Sequence, residues 1–146
     1  MPSLTQIIYT EAATLPLKDA AFQFWRYKSN FDSEELPPID WNTPEAQQRF
    51  KESFAESYRR EREFAHEGPT FDRMKRVHPH ATDADIREAI KAAVKLDDDC
   101  NRYFDRNYTD FFKAIDAAVA KAKRDNPGFL DTTYRAAGSY LLFLWK

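Results

Sequence analysis

The chain is predicted to fold as a single all-α domain, a helical bundle of about five to seven helices with short connections. Three observations carry that prediction. Apolar residues recur three and four apart along most of the sequence, no stretch alternates with period two, and three glycines against eight prolines leave few of the positive-φ positions that a turn-rich sheet protein uses. A chain of 146 residues is long enough to bury about 70% of the surface its unfolded form exposes. Aromatic residues make up 15% and charged residues 32%, with negative mean hydropathy, which is the composition of a folded domain with a well-solvated surface.

The first 14 residues form a short amphipathic helix around Leu4, Ile7, Ile8 and Glu11, ended by Pro16. From Leu17 the positions Ala20, Ala21, Phe24, Trp25 and Lys28 make a second helical stripe. Residues 30–42 contain Pro37-Pro38, four acids and isolated Phe31, Leu36, Ile39 and Trp41, and read as an extended acidic loop pinned by apolar anchors. Thr43-Pro44-Glu45 is a helix start: Thr caps free amides, Pro suits the first helical position and Glu faces the positive dipole end. The helix it opens places Phe50, Phe54, Tyr58 and Ala65 on one face and runs to Glu67, where Gly68-Pro69 stops it.

A short helical turn carries Phe71, Met74 and Val77 before Pro79. Thr82 with Asp85 three residues on resembles a capping box, and the helix that follows aligns Ile86, Ile90, Ala93, Asp97, Cys100 and Phe104. Thr109 caps the next helix, with Phe112, Ile115, Val119 and Ala122 inward, ending at Asp125-Asn126-Pro127-Gly128. A last apolar helix spans about 130–145, through Leu141-Leu142-Phe143-Leu144-Trp145, and an apolar segment of this kind must be covered by the domain's own core or by a partner. No linker, internal repeat or low-complexity segment divides residues 1–146.

Candidate chemistry is sparse. The single cysteine, Cys100, excludes an internal disulfide and reads as a small core residue. There is no Gly-x-Ser-x-Gly, phosphate-binding loop or dinucleotide fingerprint. Asp97-Asp98-Asp99 cannot converge on one ion, because successive helical side chains point about 100° apart. Asp97 alone falls on the apolar stripe, where Asn101 joins it and a cation, with Arg135 or Lys113 as candidates, has to neutralise it. Asp98 is placed to pair with Arg102. His78-Pro79-His80 supplies only two ligands, and Glu63-Phe64-Ala65-His66 matches half of a di-iron motif with no second pair. No catalytic residue, metal site or cofactor follows, and an enzyme is the less favoured class.

Two interaction readings stand. The aromatic excess and the acidic loop point to another protein as partner, contacted through Leu36, Ile39, Trp41 and Trp145, in the manner of an inhibitor, immunity factor or accessory subunit. The alternative is nucleic acid, gripped by Arg59, Arg60, Arg62, Arg73, Lys75 and Arg76, although Glu61, Glu63, Glu67 and Asp72 dilute that field and the net charge is −2. A third reading assembles an enzyme site around Asp97 and a histidine. The start lacks a secretory pattern and no apolar run approaches a membrane span, so the expected compartment is the cytoplasm and no membrane partner is expected. Self-association stays open.

Overall fold

The computed structural model describes residues 1–145 and is all-helical. Nine α-helices follow one another: α1 (Leu4–Ala12), α2 (Leu17–Arg26), α3 (Lys28–Glu35), α4 (Pro44–Lys51), α5 (Phe54–Glu63), α6 (Pro69–Val77), α7 (Asp83–Tyr103), α8 (Phe111–Asp125) and α9 (Asp131–Trp145). A 3-10 turn at Ala65–Glu67 links α5 to α6. Among the described residues there is no strand and no helix long and apolar enough to cross a membrane.

The 21-residue α7 is the axis of the bundle, touched by α2, α6, α8, α9 and the 3-10 turn. Thr82 caps it by accepting from the Asp85 amide, as the sequence suggests. Its inward stripe, Ile86, Ala89, Ile90, Ala93, Leu96 and Cys100, is buried against Phe22, Phe24, Trp25 and Met74 of α2 and α6. The alanines let neighbouring helices approach closely, while the aromatics of α2 fill the space between them. Tyr9, Phe24 and Phe31 form an edge-to-face cluster with centroids 5.1–5.4 Å apart that fastens α1 and α3 to α2.

Three expectations about boundaries are corrected. The loop expected over residues 30–42 is helical as far as Glu35, because Phe31 turns into the core and Asp32 and Glu35 are held by Arg73. The helix expected from Thr43 to Glu67 breaks at Glu52-Ser53, where Ser53 accepts from the Glu56 amide and starts α5 afresh. These breaks raise the helix number from the expected five to seven to nine. The cap of α8 is Asp110, one residue after the expected Thr109, and Phe112 points outward.

The two structural glycines of the last third differ. Gly128 has φ +96°, and an added Cβ would lie 3.0 Å from Lys18 Nζ, so Gly128→Ala is expected to cost about 1–2 kcal/mol. An added Cβ at Gly138, inside α9, would meet Val119 Cγ2 at 3.4 Å, an ordinary contact. Gly138→Ala is therefore expected to stabilise by about 0.5–1 kcal/mol through helix propensity. Chemical denaturation of both variants checks the opposite signs; a destabilised Gly138→Ala would show that α8 and α9 need the missing methyl.

Candidate functional site

A buried polar network surrounds Asp97, and the segment from Leu36 to Phe64 builds an exposed apolar surface.

Asp97 is 3% exposed and sits among α2, α5 and α7. Its Oδ2 accepts from Trp25 Nε1 at 3.0 Å and from Arg62 Nη2 at 3.2 Å, and its Oδ1 accepts from Asn101 Nδ2 at 3.3 Å. Arg62 also donates through Nε to Asp98 Oδ1 at 2.5 Å and lies on the Tyr58 ring, 3.4 Å from its centroid. The neutralising cation is thus Arg62, from a helix distant in sequence, and neither Arg135 nor Lys113. Asn101 joins as expected and passes the network on, accepting from Trp145 Nε1 at 3.0 Å. The Trp145 ring stacks on Phe104, with centroids 5.4 Å apart, while Arg106 lies 4.5 Å from its centroid. Trp145, expected among the partner-contacting residues, is therefore docked within the chain, whereas Phe143 and Leu144 beside it on α9 stand exposed.

The carboxylates of the acidic run have three different environments. Burial is the largest influence on Asp98 and lifts its carboxyl above the usual range, against the pull of Arg62. Burial also acts on Asp99, but hydrogen bonds from Lys95 and Asn126, with the charges of Lys95 and Arg102, outweigh it and hold the carboxyl below the usual range. Arg102 pairs with Asp99 at 3.1 Å rather than with Asp98. Burial, with Asp97 and Asp99 nearby, pushes the Cys100 thiol up to about 12, which makes it a poor nucleophile.

None of the three histidines is a hydrogen-bond partner of Asp97. His78 Nε2 lies 2.9 Å from the Ala12 carbonyl oxygen, His66 lies 3.4 Å from Glu67, and His80 is exposed. No group of three or more metal-ligating side chains occurs among the described residues.

The six residues of the basic region do not form a free patch. Arg59 meets Glu63, Arg60 meets Glu52 at 2.6 Å, Arg62 is the Asp97 cation, and Lys75 meets Asp83 at 2.9 Å. Arg73 is buried between Asp32 and Glu35, and Arg76 lies over Tyr9 with Glu35 at 3.8 Å.

The other surface is apolar. Leu36, Ile39 and Trp41, read from the sequence as anchors of the loop, are exposed and do not pin it to the core. Phe50 and Phe54, expected on one helical face, stand out at 78% and 85% exposure, because the break at Glu52-Ser53 turns that face away from the core. Trp41 and Phe50 meet edge to face at 5.8 Å and, with Gln47 and Lys51, line a hollow of about 460 Å³. Ser53 followed by Glu56 was the signal for that break, since it is itself a helix-start pattern. Comparison with protein-family models, curated proteins and solved structures gives no match.

Breaking the Asp97 pair strands a buried charge. Asp97→Ala and Arg62→Ala are each expected to lower unfolding free energy by about 3–5 kcal/mol, with the double variant costing much less than the sum. Additive losses in urea titrations would show that the two side chains act separately.

Acid should act through Asp99 and Glu35. Burial raises Glu35, yet hydrogen bonds from Tyr9 and Arg73 and the charges of Arg73 and Arg76 leave it below its usual value. Because the folded values of both groups lie below the unfolded ones, their stabilisation is complete above the ordinary carboxylate range, near about pH 4. It is lost as pH falls through that range toward the folded values. Asp98, raised, works in the opposite direction. Unfolding free energy followed from neutral to acid pH should fall less steeply in Asp99→Asn than in the wild type.

Proposed function

We propose that this chain is a non-catalytic binding protein, an inhibitor or accessory subunit, whose contact surface is the aromatic face of Leu36, Ile39, Trp41, Phe50 and Phe54. The exposure of Phe50 and Phe54 carries the reading: two whole phenyl rings stand in water beside a tryptophan, on helices that make little contact with the bundle. Leaving each ring exposed forgoes about 1.5–3 kcal/mol of burial, and clusters of aromatic side chains of this kind are the anchors of protein interfaces.

Charge indicates the partner's chemistry. Seven acids face two bases between Asp32 and Glu56, and Asp40, Glu45 and Glu56 lie on the exposed side. The complementary surface is a protein with an apolar recess rimmed by Lys or Arg, for which such a rim speeds association more than it adds affinity. The dispersal of the six basic residues into ion pairs weighs against nucleic acid as the partner.

The test is reconstitution. A basic protein recovered with the tagged chain is purified and titrated against wild type and against Phe50→Ser/Phe54→Ser, whose helical circular dichroism should be unchanged because neither ring is in the core. Loss of affinity of about 100-fold or more in the variant is expected. Equal affinity would remove this face from the interface, and self-association of the wild type that the variant abolishes would make a second copy the occupant.

A further inference from the structure

A cleft of about 390 Å³ lies between α2, α3, α4, α5 and the start of α6, and it is lined by more cations than acids. Lys28, Arg49, Arg60 and Arg73 contribute to its wall against Asp32 and Glu61, with Trp25 and Phe64 as its aromatic parts. Lys28 is shared between Glu61 at 3.5 Å and Tyr140 Oη at 3.2 Å, and Arg60 is paired with Glu52. Arg49 makes no ion pair and no side-chain hydrogen bond among the described residues. Arg73, only 4% exposed, directs Nε to Glu35 and Nη2 to Asp32, while its Nη1 is buried with no partner. A guanidinium nitrogen removed from water without an acceptor is a position that an anion improves.

The backbone adds a second, separate attraction. The helix α6 begins at the edge of this cleft with Gly68 as its cap residue, Pro69 in the first helical position and buried Thr70 next. Gly68 has no side chain to cap the helix; Pro69 has no N–H and the Phe71 and Asp72 amides turn back to the Gly68 carbonyl, so the Thr70 N–H is the donor that this end offers a ligand, with Asp72 as the acid of the first turn. Nothing lies within 4 Å of where a Cβ at Gly68 would be, which leaves room for a ligand atom.

We propose that this cleft binds the phosphate group of a small phosphate ester, with Arg49, Arg73 and the start of α6 receiving the phosphate and Phe64 offering a face to an apolar or ring-bearing remainder. The volume falls within the range of small-molecule sites, and forked guanidinium donors suit phosphate oxygens. This site is independent of the aromatic contact face, since neither Phe50 nor Phe54 lines it.

The probes are inorganic phosphate and adenosine monophosphate, titrated calorimetrically into the full chain at constant ionic strength. Phosphate is expected to bind with a dissociation constant of about 1 mM, and the monophosphate more tightly. Arg49→Gln, which breaks no internal pair, should weaken both by about tenfold. Phe64→Ala should reduce the monophosphate to the affinity of phosphate alone. Gly68→Asp places a carboxylate at the helix start: its thermal midpoint should stay level or rise, because Asp caps better than Gly, while phosphate binding should be lost. No heat from either probe at about 10 mM, or unchanged binding in Arg49→Gln and Gly68→Asp, would overturn the proposal. So would binding of phosphate with exclusion of the monophosphate, which would mark an adventitious ion only.

Discussion

The burial of Asp97 is the constraint on which the packing of four helices depends. A carboxylate on the core-facing stripe of the longest helix cannot be left alone at 3% exposure, and two residues from other helices and one from its own answer it. Trp25 brings the indole N–H of α2, Arg62 brings the guanidinium of α5, and Asn101 relays the network to Trp145 of α9. Trp25 and Arg62 can satisfy Asp97 only if their helices cross α7 at the right height and rotation. The polar contact adds register to an interface whose apolar surface would accept several arrangements.

The same device recurs at the edges of the bundle. Asp19, buried on α2, accepts from the Leu130 amide and the Thr133 hydroxyl, so that it caps α9 from another helix. Asp99 gathers Lys95 and Asn126, which ties the end of α8 to α7. Arg73 draws together Asp32 and Glu35 and thereby keeps α3 helical beyond the point where its own sequence favours a loop. Buried charge with partners from distant segments is costly to break and adds little net stability, so its contribution here is to select one arrangement.

Two groups of aromatic residues have different consequences. Phe22, Phe24, Trp25 and Phe31 are buried and fill the space that the alanines of α2 and α7 leave between helices. Trp41, Phe50 and Phe54 project from a segment that touches the bundle sparsely. Most of their apolar area stays in water, which is the physical basis of the proposal that a partner covers them. Gly68 and Arg73 differ from both: their unused donors and positive end are polar, and they face a cleft of small-molecule size rather than a broad surface.

Periodicity and capping chemistry were enough to determine that this chain is all-α, where α7 begins, and that Asp97 lies on the buried face beside Asn101, because these depend on residues within one or two turns of each other. The prolines also marked residues 37–42 as non-helical, but Leu36, Ile39 and Trp41, read as anchors of that loop, are exposed and only Phe31 reaches the core. Tertiary structure alone decided which cation meets Asp97, why Lys28–Glu35 is helical, and which way Phe50 and Phe54 point. Each of those outcomes depends on contacts between segments 35 or more residues apart or on how a helix break rotates a face, and local sequence carries no record of either. The cation-lined cleft belongs to the same class, since its wall joins Lys28, Arg49, Arg60 and Arg73 only after α3, α4, α5 and α6 have packed.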